Sequence, residues 1–418
     1  MSQLLIEGRR CLNGELFVQG AKNSVLPILA STVLCKGECI IHNCPELSDV
    51  EVTISILEYL GCRVKREGNT ITVNSDGIDK DDVPDFLMRE MRSSIIFLGA
   101  LISRIGKVRL SLPGGCELGP RPIDLHIDAL KQMGLKVDES HGFMDCETVG
   151  RLIGTNIVLS FPSVGATENI ILAAVLANGT TTITNAAREP EICDLAEFLN
   201  SCGARISGIG ESTIIIEGVD NLFGTEHTVI PDRIAAVSYM CVAAVTSGEI
   251  ILRNTIYDHI GAIIPIFEEA GCMVTNLGEG ILKLEAPERP YANKLIRTMP
   301  YPGFPTDAQA PVMAMTTVAF GTSMFVENIF ESRYKHVGEL MRLGADIKVE
   351  SKVAIVEGVK CLSGASVTAT DLRGGAALVI AALAAEGITE IKGLKYIDRG
   401  YENIENNLCN LGAKVKRI

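Results

Sequence analysis

Six times along the chain an apolar residue, two variable positions, an apolar residue, a glycine, two variable positions and an apolar residue follow one another. The segments are LEYLGCRV, LKQMGLKV, LNSCGARI, FEEAGCMV, LMRLGADI and LCNLGAKV. Their glycines are Gly61, Gly134, Gly203, Gly271, Gly344 and Gly412, spaced 73, 69, 68, 73 and 68 residues apart. Each segment predicts a helix that ends on a glycine, whose missing Cβ tolerates the left-handed conformation of a helix C-terminus, followed by a strand. A second glycine stands 23 to 28 residues before each of these, at Gly37, Gly106, Gly179, Gly248, Gly321 and Gly387. Before it runs an apolar, Ala- and Leu-rich stretch long enough for a buried helix, and after it comes an alternating, strand-like segment such as ECIIHN or EIILRN.

One unit therefore reads as helix, glycine, strand, helix, glycine, strand. Its length of about 70 residues exceeds the roughly 20 to 50 of the common solenoids. Gly61 to Gly271 and Gly134 to Gly344 both span 210 residues, and Gly203 to Gly412 spans 209. A half of three units thus occurs twice, with the cut near residue 231. The pattern predicts an α/β protein of two similarly built domains, with the cleft between them as the default ligand site.

The starts of the six apolar helices collect polar residues and glycine: AKN, MRSS, SVGAT, PDR, PTD and TDLR. Any one of these is an ordinary cap. Lys22, Arg92, Arg233 and Arg373 are less ordinary, because a cation at a helix N-terminus opposes the helix dipole. Four such placements in one symmetry class point to a site for a polyanion, helped by free backbone N–H groups.

Composition narrows the partners. The 418 residues carry 38 Lys+Arg against 51 Asp+Glu, a net charge of −13. That balance argues against nucleic acid and acidic membranes and leaves a small anionic substrate held by locally gathered cations. Thirteen cysteines without a CxxC pair read as reduced thiols of a cytoplasmic protein, and Cys35, Cys39 and Cys44 lack a histidine at zinc-ligand spacing. Charge at Glu7 and Arg9 precedes any signal-peptide apolar region, and the charge-free stretch 308–326 contains Pro, Gly, Thr and Ser, so no membrane insertion is expected.

Seven separated motifs, GAKNSVLP (20–27), SLPGGCELGPRPIDLH (111–126), PSVGATENI (162–170), NAAREPEI (185–192), PTDAQA (305–310), TATDLR (368–373) and DRGYE (398–402), resemble those of the UDP-N-acetylglucosamine 1-carboxyvinyltransferase family of enolpyruvyl transferases. The resemblance spans the whole chain. It implies a two-domain inside-out α/β barrel with three repeats per domain, one domain being 22–231 and the other 1–21 plus 232–418. It implies transfer of the enolpyruvyl group of phosphoenolpyruvate to the 3′-hydroxyl of UDP-N-acetylglucosamine with release of phosphate, the first committed step of peptidoglycan synthesis, without metal or redox cofactor. The competing readings are 3-phosphoshikimate 1-carboxyvinyltransferase, against which the PGGC loop and SVGAT turn argue, and a non-catalytic repeat scaffold, against which Lys22, Cys116, Asp307 and Arg399 argue.

By the same resemblance Lys22, Arg121 and Arg399 hold the phosphate and carboxylate of phosphoenolpyruvate, with Asn23, Arg92 and Arg373 nearby; guanidinium forks suit both anions. The nucleotide lies along Arg121, Pro122, Ile123, Asp124 and Leu125 and the turn Ser163, Val164 and Gly165, while Asp307 and the backbone of Ile329 contact the sugar. Family members often carry a lysine near the position of Phe161 and Pro162, and some carry one in place of Ser48, so diphosphate binding here leans on Arg121 and backbone donors. Cys116 corresponds to the proton donor and the target of fosfomycin; on the residues alone, a lone cysteine in a glycine-rich loop reads first as an incidental thiol. Asp307 reads as the general base, with Asp371 in support, or as a helix cap.

Overall fold

The computed structural model describes residues 2–111 and 123–418. The described chain divides into two compact units, one made of residues 20–111 with 123–230 and the other of residues 2–19 with 231–418.

In the 20–230 unit the helices Lys22–Ser31, Phe97–Ile105 and Val164–Ala174 are buried almost throughout. Buried on nearly every side, they pack on one another within one apolar core. Gly99 N–H donates to Asn169 Oδ1 at 2.8 Å, and four residues on Ser103 Oγ donates to Ala173 O at 2.8 Å. The two helices therefore run parallel, and Arg92 and Ser163 precede them at the same end. Phe97–Ile105 is entered through a 3₁₀ turn, Arg92–Ile96, rather than as one continuous helix from Arg92; the Ser94 hydroxyl there bonds back to Met88 O.

Around these helices lie three sheets of three or four strands, besides the two-stranded pair Leu222–Phe223 and Cys35–Lys36. The first orders Glu226–Thr228, Glu38–His42, Thr70–Asn74 and Arg63–Glu67; the second Lys107–Ser111, Phe143–Glu147 and Lys136–Ser140; the third Asn156–Val158, Thr180–Thr184, Thr213–Glu217 and Arg205–Ser207. In the other unit Arg233–Val245, Thr306–Thr316 and Leu372–Ala384 form the buried helices. Their sheets order Met273–Gly278, Ile281–Glu285, Glu249–Arg253 and Asn13–Phe17; Ile296–Arg297, Thr322–Val326, Val353–Glu357 and Asp346–Glu350; and Ser366–Thr368, Ile388–Lys392, Leu4–Glu7 and Lys414–Arg417.

Each sheet holds more strands than the helix-glycine-strand pattern predicts, because a return strand pairs antiparallel with both expected ones. In the last sheet that place is taken by Leu4–Glu7 from the start of the chain, paired with Ile388–Lys392 and Lys414–Arg417. Asn13–Phe17 likewise joins Glu249–Arg253 in parallel.

The six glycines of the helix-strand junctions all have positive φ, from 86° to 103°. In the earlier set Gly248 differs from the rest: the left-handed residue is Ser247, at φ 53°. Gly248 is required for another reason, since a Cβ there would lie 2.0 Å from Leu12 O, on the N-terminal segment.

Candidate active site

Lys22 opens the first buried helix and is itself buried, its Nζ 2.7 Å from Asp49 Oδ2. Asp49 lies in the first turn of Ser48–Tyr59, where an acid is favoured by the helix dipole. The lysine expected to meet substrate anions thus already faces a buried carboxylate within the protein. Asn23 beside it is exposed. Ser24 bonds Asp194, which also accepts from Ile230 N–H at 3.2 Å and lies 2.8 Å from His227 Nε2, so the start of this helix is tied to the end of the unit.

Ser163 caps Val164–Ala174, accepting from Ala166 N–H at 3.4 Å. The first intrahelical bond is made by Thr167 N–H to Ser163 O, so the N–H groups of Val164 and Gly165 lie ahead of it, as an anion requires. Gly165 rests on His126: an added Cβ would lie 3.0 Å from its Cε1. Asn169, 2.8 Å from His126 Nδ1 and bonded to Ile95 O, locks this turn to Asp124–Gln132. Asp124 is exposed at that helix's start, with Ile123 and Leu125 half-buried against the core. Phe161 is exposed, and Ser48 begins its helix.

In the other unit Pro305 holds the N-cap position of Thr306–Thr316 and Asp307 lies inside the first turn. Its carboxylate is shared by two arginines: Arg333 Nη2 reaches Oδ1 at 2.8 Å, and Arg373 reaches Oδ2 through Nη2 at 3.0 Å and Nε at 3.2 Å. The arginine side chains are 2% and 3% exposed, whereas that of Asp307 is 29% exposed and open to a substrate. Burial disfavours the charge on Arg373, but Asp307, Tyr401 and Asp232 outweigh it and raise its pKa. The cap is Asp371, whose Oδ1 accepts from the N–H groups of Arg373 and Gly374. Asp232 caps Arg233–Val245 in the same way.

Arg399 is half-buried in a segment fixed on both sides. Asp398 binds Arg417 at 2.8 and 3.0 Å, Gly400 O accepts from Gln19, and the Tyr401 hydroxyl meets Ser238 Oγ at 2.8 Å. The backbone of Ile329 is available to a sugar only through its carbonyl, because its N–H donates to Glu327 Oε1 at 2.9 Å. Buried Glu327 also accepts from Phe330 N–H, Thr298 and Thr306, joining this turn to the helix of Asp307.

The structure thus joins Asp307 to Arg373 and seats Gly165 on the helix begun by Asp124. Cys116, Arg121 and Pro122 lie outside the described residues, as does the side chain of Arg92. Asp49, Glu327 and Arg333 were missed by sequence reasoning; Asp49 and Arg333 carry no motif, and the only signal for Glu327 was its place in the strand-end segment TSMFVEN. Among the described residues no cluster of His, Cys, Asp or Glu is arranged to hold a metal ion, and no helix is long and apolar enough to cross a membrane.

Residues 6–408 match the family EPSP synthase (3-phosphoshikimate 1-carboxyvinyltransferase). UDP-N-acetylglucosamine 1-carboxyvinyltransferase 2 of Caldanaerobacter subterraneus subsp. tengcongensis is 51% identical over the full length of both chains. The chain belongs to the enolpyruvyl transferase family. Its relative in Synechocystis sp., UDP-N-acetylglucosamine 1-carboxyvinyltransferase, is 46% identical over 99% of this chain and 94% of its own. The enolpyruvyl transferase NikO of Streptomyces tendae superposes with a TM-score of 0.90 at 25% identity, covering 100% and 98% of the two chains. EPSP synthase from Acinetobacter baumannii shares the α/β fold, with a TM-score of 0.77 at 18% identity over the whole of both chains.

Proposed function

We propose that this enolpyruvyl transferase moves the enolpyruvyl group of phosphoenolpyruvate to the 3′-hydroxyl of UDP-N-acetylglucosamine and releases phosphate, in the first committed step of peptidoglycan synthesis. The observation that carries this is full-length identity of 46 to 51% to relatives named for that acceptor. The finer architecture we infer is an inside-out barrel of six related units; the helix-terminal glycines and the shared strand orders support it. The twelve described cysteines are free thiols, which favours a reducing, cytoplasmic setting.

In the reaction the 3′-oxygen bonds to C2 of phosphoenolpyruvate as a proton is added to C3, forming a tetrahedral intermediate. Loss of the C3 proton then expels phosphate and restores the methylene. Lys22, Arg121 and Arg399 take the phosphate and carboxylate, with Asn23 and Arg92 alongside. Arg121 to Leu125 and the N–H groups of the Ser163–Gly165 turn take the nucleotide. Asp307 accepts the hydroxyl proton, oriented by Arg333 and Arg373, and Cys116 supplies the proton to C3. The Ile329 carbonyl meets the sugar. Asp371, holding its helix cap, supports this chemistry by fixing Arg373.

Phosphate release with phosphoenolpyruvate and each acceptor tests the reading. Turnover with UDP-N-acetylglucosamine and none with 3-phosphoshikimate is expected, and the reverse would assign the sister activity.

A further inference from the structure

Glu327 follows the strand Thr322–Val326 and is 1% exposed. A carboxyl group so deeply buried is costly unless its lone pairs are met, and here they are. Oε1 accepts from the N–H groups of Ile329 and Phe330 at 2.9 and 3.1 Å and from the Thr298 hydroxyl at 2.9 Å. The Thr306 hydroxyl lies 3.1 Å from Oε1 and 3.0 Å from Oε2. Thr298 Oγ1 in turn accepts from Asn328 N–H at 2.8 Å. The N–H groups of 328, 329 and 330 are thus all held by Glu327 or by its partner, which fixes the direction of the Ile329 carbonyl.

The same carboxyl reaches the segment of the base. Thr306 opens the helix Thr306–Thr316 and immediately precedes Asp307. Its carbonyl accepts from Arg333 Nη2 at 3.0 Å, the nitrogen that also holds Asp307 Oδ1 at 2.8 Å. Strand Thr322–Val326 is already paired on both sides, with Val353–Glu357 and with Ile296–Arg297. What Glu327 adds lies beyond the strand end, where it joins the turn of Ile329 to the helix start of Asp307.

We propose that Glu327 is a positioning residue that sets the distance between the Ile329 carbonyl, which meets the acceptor sugar, and Asp307, which takes the proton of its hydroxyl. It acts through hydrogen bonds to both segments and through its length, not through its charge. The inference rests on the enolpyruvyl transfer reading with Asp307 as base.

The test compares Glu327→Asp with Glu327→Gln. Asp keeps the charge but is one methylene shorter, so it cannot reach turn and helix together. Gln keeps the length and an oxygen in the place of Oε1, while its amide N–H donates to Thr306 Oγ1. Parent turnover with UDP-N-acetylglucosamine is measured first; its absence would count against the proposed reaction and not against this role. In Glu327→Asp, kcat should fall about ten- to a hundredfold and KM for UDP-N-acetylglucosamine should rise about tenfold, with KM for phosphoenolpyruvate within about twofold, because only the acceptor is misplaced. Glu327→Gln should recover most of both. Parent-like kinetics in Glu327→Asp, a loss in Glu327→Gln as large as in Glu327→Asp, an equal rise in KM for phosphoenolpyruvate, or a loss accounted for by unfolded protein would overturn the assignment.

Discussion

Arg373 meets Asp307 through two nitrogens on one carboxylate oxygen, at 3.0 and 3.2 Å, and leaves the other oxygen to Arg333. A carboxylate held this way cannot swing, and its remaining exposure is the face a substrate hydroxyl can reach. Replacing Asp307 by Asn keeps the shape and loses the charge, so turnover should fall by roughly two to four orders of magnitude in a folded protein. Replacement by Ala should also destabilise by about 3 kcal/mol, because two buried guanidiniums lose their counter-charge. Steady-state kinetics with urea unfolding separates the two effects, and near-normal turnover in Asp307→Asn would move the base to Asp371.

Gly248 and Gly37 occupy matching places in the pattern but meet different surroundings. A Cβ at Gly37 finds nothing within 4 Å and suffers only from a φ of 82°, whereas one at Gly248 meets Leu12 O at 2.0 Å. Gly37→Ala should cost about 1 kcal/mol. Gly248→Ala should cost more and loosen Asn13–Phe17, read as faster hydrogen exchange in that strand. Equal melting temperatures for the two variants would contradict this.

Burial of Cys44, Cys62, Cys146 and Cys272 pushes each thiol up to about 12, so these remain protonated and unreactive at neutral pH. By the resemblance of the PGGC loop, fosfomycin is expected to add to Cys116 alone among the thirteen cysteines. Peptide mass mapping decides it: label on exposed Cys11 or Cys409 instead would remove Cys116 from the proposed acid role.

Glu168 is buried, and its pKa is raised well above 4.5 first by desolvation and then by Glu191 and Glu189. A carboxyl that binds its proton more tightly folded than unfolded stabilises the fold fully below pH 4.5 and loses that contribution as pH rises toward the folded value. Glu168→Gln removes the dependence. Its Tm should match the parent near pH 4 and exceed it increasingly at pH 6 to 8, as thermal melts across that range would read; a constant difference would show Glu168 ionised in the fold.

What the sequence alone determined lies in short-range rules. A helix ending in an L-residue resists the left-handed turn, so the six junction glycines were legible, and the Ala- and Leu-rich stretches read as buried helices. The Asp307, Arg373 and Ser163–Gly165 positions were legible from motifs. Tertiary structure decided what depends on distant partners. Only the folded sheets put Leu4–Glu7 between Ile388–Lys392 and Lys414–Arg417, a pairing of segments far apart in the chain that no local pattern announces. Only the fold set Asp49 against Lys22 and Arg333 against Asp307, turning isolated charges into buried pairs. Such pairing follows from which charges lose water together, and that depends on packing across the unit rather than on any local pattern.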